Sequence, residues 1–156
     1  VEQGKSVTPM FLLGVFLWQP VKKLAAIRRE EEKMSESQSL ALAAHEIVAQ
    51  QQRRISIPKR FTVPMREMLS LQPRFEFKRG KRAMKLLDHR RFRAAYDFML
   101  LLSDVGQADK ETAKFWTDVQ TQSATERAES FQLGQPTGQK KHRPRRRRRK
   151  KPAQSS

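Results

Sequence analysis

The sequence predicts an all-α protein, and three observations support that fold class. Apolar residues recur at helical spacing through most of the chain, helix-capping residues precede several of these segments, and no segment alternates apolar and polar residues as a strand does. The length of 156 residues allows about one ordinary domain. We expect an all-helical body over residues 1–134 and a disordered basic tail over residues 135–156, where proline, glycine and charge replace apolar residues.

The first helices follow from an apolar run and two helix-start signals. Residues 10–18 are almost entirely apolar, but nine residues are about half of the ~20 needed to cross a bilayer, so they predict a buried helix. Pro20 fits the first turn of the next helix, because its missing amide hydrogen is unpaired there anyway. Ser35 and Gln38 have the spacing of a capping box, and the helix that follows is expected to end before Pro58.

Three more helices are predicted further along the chain. The first is short, covers residues 62–71 and has Pro64 in its first turn. The second runs from Arg90 to Asp104 and is entered through Asp88 as its N-cap. A last helix is expected over residues 109–128. At ~100° per residue, the packing face of the second helix consists of Phe92, Ala95, Tyr96, Met99 and Leu102, and the opposite, exposed face carries Arg90, Arg93 and Asp97.

The charge of the chain is strongly basic and has two centres. There are 33 Lys and Arg against 16 Asp and Glu, which gives a formal net charge of +17. Residues 53–93 hold 14 cations against three acids, a net of +11, and residues 140–151 hold ten cations in twelve positions. A polyanion is the natural partner of such a chain. The absence of cysteine excludes thiol catalysis, disulfides and cysteine-ligated zinc.

Residues 74–82, the basic connector, mix aromatic and cationic side chains around Gly80. Phe75 and Phe77 alternate with cations there, and aromatic stacking on bases combined with cations on the backbone suits single-stranded nucleic acid. The alternative is that both phenylalanines anchor the connector in the core and leave the cations in solvent. The candidate RNA-binding residues of the body are Arg74, Lys78, Arg79, Lys81, Arg82, Arg90 and Arg93.

The tail contains seven consecutive cations from Arg145 to Lys151. Such a run releases counterions from phosphates and supplies affinity, but phosphate contacts carry little base information. The alternative is an arm that improves solubility or contacts a membrane surface. The candidate RNA-binding residues of the tail are Arg145, Arg146, Arg147, Arg148 and Arg149.

No pattern in the chain points to catalysis. His45, His89 and His142 are widely spaced and lack carboxylates at metal-ligand spacing. Asp109 and Glu111 lie at the start of a predicted helix, which favours an interaction with the helix dipole over magnesium binding. We expect no catalytic residue, metal site or cofactor within the chain.

Four segments resemble the C-terminal region of bacterial poly(A) polymerases. They are residues 55–61, 65–74, 80–89 and 91–101, of which the last is the most specific. The apolar segment Phe11 to Trp18 and the arginine-rich tail are similar as well. The resemblance therefore covers nearly the whole chain in the expected order.

The resemblance implies an activity that belongs to a longer protein. Members of this nucleotidyltransferase superfamily add AMP from ATP to RNA 3′ ends, with magnesium held by an Asp-x-Asp pair in a head domain. Neither that pair nor the Gly-Ser or Gly-Gly turn before it occurs in the 156 residues. We expect the chain to be the RNA-binding C-terminal portion, with the catalytic head upstream of Val1, ATP and magnesium confined to the parent enzyme, and single-stranded RNA 3′ ends as the partner.

Three alternatives stay open. One is the corresponding region of a CCA-adding tRNA nucleotidyltransferase, although the basic connector and the long arginine tail favour the poly(A) branch. Another is a stand-alone nucleic-acid-binding protein without enzymatic activity, which a preference for duplexes would favour. The third is a helical interaction module whose tail binds acidic proteins or anionic lipid. No signal-peptide pattern precedes the apolar run, so we expect a cytoplasmic location and no membrane partner.

Overall fold

A computed structural model describes residues 8–133, and this part of the chain folds as helices joined by short turns. It contains no strand, which confirms the all-α fold class. The expected tail over residues 135–156 lies outside the described residues. The α-helices are α1 (Pro9–Glu32), α2 (Glu36–Gln52), α3 (Lys59–Ser70), α4 (Gly80–Met84), α5 (Phe92–Asp104), α6 (Lys110–Thr121) and α7 (Ala124–Ser130), and the 3₁₀ helices are η1 (Gln72–Glu76) and η2 (Lys85–Asp88).

Helix α1 corrects the predicted role of Pro20. The apolar run and the following segment form one helix that begins at Pro9, where the Thr8 hydroxyl accepts a hydrogen bond from the Phe11 amide at 3.3 Å. Pro20 lies inside this helix and is exposed. Trp18 and Val21, on either side of Pro20, are both buried, so a continuous helix keeps both in the core. The carbonyl left unpaired by Pro20 can bind water on the exposed face, which lowers the cost of the proline.

By length and composition alone, α1 is also long enough and apolar enough to cross a bilayer. The core helix of a folded domain passes the same test. One side of α1 is indeed buried, through Leu17, Trp18, Val21 and Ala25, and α1 packs on α2 and α3. Large apolar side chains on its other side, such as Phe16, stay exposed. Packing therefore covers one side of this apolar helix, and the expectation of no membrane partner stays a prediction.

Helices α1, α2 and α3 form the first packing unit. Ser35 starts α2 with the predicted capping box: its hydroxyl accepts from the Gln38 amide at 3.3 Å, and its amide donates to the Gln38 side chain at 3.2 Å. Helix α2 ends at Gln52, before Pro58, as predicted. Between α1 and α2, Arg28 donates to both carboxylate oxygens of Glu46, at 3.1 and 2.9 Å.

An aromatic cluster forms the second packing unit, around α5 and α6. The Trp116 ring is fully buried and lies 5.3 to 6.0 Å, between centroids, from the rings of Phe75, Phe92 and Phe131. Its indole nitrogen donates to the Phe75 carbonyl at 2.7 Å. The predicted packing face of α5 is confirmed, because all five of its residues are buried.

The predicted starts of α3 and α5 are displaced. Helix α3 begins at Lys59, earlier than predicted, and Pro64 lies beyond its first turn. Asp88 is not the N-cap of α5: it ends η2, and α5 starts at Phe92. The His89 ring instead accepts the hydrogen bond of the Arg91 amide at 3.0 Å, which pairs one backbone donor at the start of α5.

The predicted last helix is two helices. Helix α6 ends at Thr121 and α7 starts after Ser123, whose hydroxyl accepts from the Glu126 amide while Glu126 accepts from the Ser123 amide. This second capping box was present in the sequence as Ser-x-x-Glu and identifies the break. The break allows Phe131, just after α7, to fold back and pack on Trp116.

Candidate nucleic-acid interface

The basic connector separates its two phenylalanines. The Phe75 side chain is 1% exposed and belongs to the aromatic cluster, whereas that of Phe77 is 69% exposed. The prediction that both rings could stack on bases therefore fails for Phe75, and the alternative that both are core anchors fails for Phe77. The exposed Phe77 ring lacks the stabilising free energy that burial of an aromatic side chain provides. Of the two rings of the connector, it is the one that a ligand can contact.

Contacts at both ends hold the connector against α6 and α7. At its start, the Phe75 carbonyl accepts the Trp116 indole hydrogen. In its second half, Gly80 has a φ of 81° and donates its amide to the Phe131 carbonyl at 2.7 Å. Glycine adopts this left-handed conformation without the strain that other residues incur. The backbone on both sides of Phe77 is thus anchored.

The cations of the connector have little local neutralisation. Arg79, Lys81 and Arg82 are exposed, and Arg74 and Lys78 are half-buried. None of the five forms an ion pair with a carboxylate of residues 8–133. The Lys78 amine lies 5.9 Å from the centroid of the Phe115 ring. Their positive charge therefore remains available to an anionic ligand.

Glu67 on α3 pairs with two arginines that precede α5. Arg90 donates to one of its carboxylate oxygens, and Arg91 donates to the other at 2.8 Å. Burial raises the pKa of Glu67, but the hydrogen bonds from Arg91 and Arg90 outweigh it, so the pKa is lowered overall. Arg90, a predicted RNA-binding residue, is therefore partly neutralised.

His89 lies among the same cations. Burial lowers its pKa, and the positive charge of Arg74 lowers it further. The negative charge of Glu67 opposes this shift, and Arg90 and Arg91 add smaller contributions that lower the pKa. The structure thus brings Arg74 and Arg90 close to one ring, although they are sixteen positions apart in the sequence. This arrangement favours a neutral His89 that can accept the Arg91 amide.

Arg93 lies on the exposed side of α5, as the helical spacing predicted. Its guanidinium group pairs with Asp97 one turn later at 3.4 Å and lies 5.8 Å from the centroid of the Tyr96 ring. Exposed i,i+4 pairs of this kind contribute only about 0.3–0.5 kcal/mol, so Arg93 can exchange its partner for a phosphate. The five predicted tail residues, Arg145 to Arg149, lie outside the described residues.

Sequence reasoning missed a second group of cations. Arg53, Arg54, Lys59 and Arg60 are exposed around the turn between α2 and α3, and they form no ion pair within the described chain. The charge count over residues 53–93 already included them. Aromatic residues do not alternate with these cations as they do in the connector, so no local signal marks them as a site.

Metal-binding groups are absent from residues 8–133: no three His, Asp or Glu side chains lie close enough to hold an ion. The fold and the surface together define an all-helical body with an anchored connector. This connector presents one exposed aromatic ring and several cations that form no ion pair.

A family model described as "Polymerase A arginine-rich C-terminus" matches residues 32–151. The chain belongs to this family, which confirms the resemblance to the C-terminal region of bacterial poly(A) polymerases. It is 33% identical to poly(A) polymerase I of Escherichia coli O6:H1 over 122 residues, 77% of this chain and 26% of that protein.

Two further relatives agree. Poly(A) polymerase I of Salmonella typhi is 30% identical over 128 residues, 81% of this chain and 28% of that protein. Poly(A) polymerase I of Haemophilus influenzae is 30% identical over 146 residues, 90% of this chain and 32% of that protein. The chain thus spans about a third or less of the length of these curated relatives.

Proposed function

We propose that this chain is the part of a poly(A) polymerase that binds single-stranded RNA, next to the 3′ end to which the complete enzyme adds AMP from ATP. ATP and magnesium would be bound by the catalytic head of the complete protein. The observation that carries the proposal is the connector, where exposed Phe77 lies among cations that form no ion pair with a described carboxylate.

The chemistry of the connector suits a single strand. A base has to be unstacked before an aromatic side chain can pack on it, and each such stack contributes about 1–3 kcal/mol. Arg79, Lys81 and Arg82 follow Phe77 closely enough to contact the phosphates that flank a stacked base. Neither interaction reads a particular base, which suits an enzyme whose substrate end changes with every addition.

The anchoring of the connector also supports the proposal. A loop that must become ordered on binding loses conformational entropy, which weakens the complex. Here the hydrogen bonds from Trp116 to Phe75 and from Gly80 to Phe131 hold the backbone before any ligand is bound. Phe77 is therefore presented on a rigid segment.

The proposal is tested by neutralising the exposed cations of the connector. The variant Arg79→Gln/Lys81→Gln/Arg82→Gln should bind a single-stranded RNA oligonucleotide more weakly, with a log–log salt slope reduced by up to about 2, because each phosphate contact with a single strand contributes about 0.7. The matched control is Lys23→Gln/Lys33→Gln/Lys110→Gln, which removes the same charge from exposed positions elsewhere.

Fluorescence anisotropy against single-stranded RNA, duplex RNA and anionic vesicles separates the alternatives. The proposal expects the single strand to bind most tightly and the control to retain most of that affinity. Equal losses in the two variants would show that net charge, and not the connector, governs binding. Preference for the duplex or for vesicles would instead favour a general nucleic-acid-binding protein or a lipid-binding module.

A further inference from the structure

A groove of about 640 Å³ lies on the body, apart from the exposed connector cations. It is bounded by α1, the start of α2, η1, the end of α5 and the start of α6, and its lining includes the apolar side chains of Ala25, Leu40, Phe75 and Met99. At one side, the Trp18 indole donates to the side chain of Gln107 at 3.2 Å. A groove with an apolar floor offers burial to the stems of long side chains.

The edge of the groove carries a net negative charge, in contrast to the basic connector. Four carboxylates line it, from Glu30, Glu36, Glu76 and Asp109, against the two cations Lys22 and Arg29.

Both cations already have neighbours. Arg29 is 4.0 Å from Glu36, and the Lys22 amine lies 5.7 Å from the Trp18 ring centroid. Glu30 and Glu76 are exposed and form no ion pair with any cation of residues 8–133. A net negative edge repels RNA and attracts a cationic segment.

We propose that this groove is the docking site of the chain's own arginine-rich segment, Arg145 to Lys151, when no RNA is bound. Arginine fits both parts of the groove, because its methylene stem can cover the apolar floor while its guanidinium group donates to the carboxylates at the edge. The segment carries seven cations and no acid, so its charge complements the free carboxylates of Glu30 and Glu76.

The length of the intervening chain allows this docking within one molecule. Eleven residues separate Leu133, the last one described, from Arg145, and this segment can span at most about 40 Å. Just before Leu133, the Phe131 ring lies 5.6 Å from Trp116, and Trp116 lies 5.3 Å from Phe75, which lines the groove. The body therefore places the origin of the tail two ring contacts away from the proposed site.

Docking would regulate access to RNA, a consequence that rests on the proposed function. Glu76 in the groove directly precedes Phe77 on the connector. RNA that binds the connector also attracts the tail, so the groove and RNA compete for the same arginines. The apparent RNA affinity is the affinity of the undocked form multiplied by the fraction of molecules that are undocked. Docking of the tail therefore weakens RNA binding.

The docking itself is tested without RNA in the full chain. The protein has no cysteine, so Ala153→Cys provides a single site for a nitroxide spin label near the arginine run. We expect selective broadening of the NMR signals of the Trp18 indole and the Gln107 side-chain amide, and loss of that broadening at high salt. Mixing spin-labelled protein with unlabelled, isotope-enriched protein should produce no broadening, because the contact is within one molecule.

Two charge-matched variants make the test specific. Glu30→Gln/Glu76→Gln should abolish the broadening, whereas Asp88→Asn/Glu129→Gln, which removes the same charge from exposed positions outside the groove lining, should preserve it. The groove variant should also bind RNA about two- to tenfold more tightly than the control.

Broadening that is absent, that is lost equally in both variants, or that arises only between molecules would overturn the proposal; the last result would assign the groove to the tail of a second copy. Failure of RNA binding alone would count against the proposed function and leave the docking result standing.

Discussion

At the scale of single residues, Phe75 and Phe77 show how two positions in one segment acquire different roles. Phe75→Ala should destabilise the protein by about 3–5 kcal/mol, because it removes a buried ring that contacts Phe92 and Trp116. Phe77→Ala should leave thermal stability nearly unchanged and weaken single-stranded RNA binding by about 1–3 kcal/mol. Thermal unfolding and anisotropy measure the two effects, and Phe77→Tyr, which retains a ring, is the control. If Phe77→Ala binds RNA as tightly as the wild type, the stacking role of Phe77 is contradicted.

Glu67 gives a prediction about pH. Its pKa is lowered in the folded protein by Arg91 and Arg90 against the effect of burial, so its stabilising contribution is present above its unfolded pKa. That contribution is lost as the pH falls through the lower, folded value. The melting temperatures of wild type and Glu67→Gln should therefore differ at pH 7 and converge below about pH 4. Equal differences between the two melting temperatures at pH 7 and at low pH would contradict this role of Glu67.

At the scale of elements, the contact between α1 and α3 depends on Gly14. A Cβ atom added there would overlap the terminal methyl group of Met68 and would lie 3.6 Å from side-chain atoms of Leu69 and Met65. The overlapping group is the end of a flexible chain, and alanine gains about 1 kcal/mol in helix propensity over glycine. Gly14→Ala should therefore change stability by less than about 1 kcal/mol.

Gly14→Leu should destabilise by about 1–3 kcal/mol or more, because a branched side chain cannot enter this contact without moving α3. Chemical denaturation of both variants measures the difference. Leucine at the exposed position Val15 is the control for the same helix. A tolerated Gly14→Leu would show that α1 and α3 do not approach as closely as described.

At the scale of the whole molecule, the tail and the body should contribute separately to RNA binding. Replacing Arg145, Arg146, Arg147, Arg148 and Arg149 by Gln should weaken binding and reduce the log–log salt slope by up to about 3.5, if each arginine contacts one phosphate. The body should retain weaker binding through the connector. Anisotropy titrations at several salt concentrations provide the slope, and an unchanged slope would contradict the role assigned to the tail.

Much of the helical organisation could be predicted because its signals are local. The capping box at Ser35 and the packing face of α5 depend on residues within a few turns of each other, and both are confirmed. The second capping box at Ser123 is the same kind of local signal, and it predicts the break between α6 and α7 that apolar spacing alone does not reveal. Pro20 was misplaced because its local preference for a first turn is weaker than the burial of the apolar residues on both sides.

The candidate site was less predictable, because its character depends on contacts between distant residues. Helical spacing placed Arg93 on an exposed face, but it could not reveal that Glu67 on α3 pairs with Arg90 and Arg91. Composition identified the aromatic and cationic connector without showing that only Phe77 of its two rings reaches solvent. Nor did any local signal indicate a groove with an acidic edge.

The sequence by itself thus determined the all-α class, the basic character and the family, because periodicity, charge and motif order are properties of the chain. The tertiary structure decided which ring and which cations are free and where the carboxylates gather. Those features arise when residues far apart in sequence become neighbours in the packed core, and side-chain exposure is set by that packing and not by residue type alone.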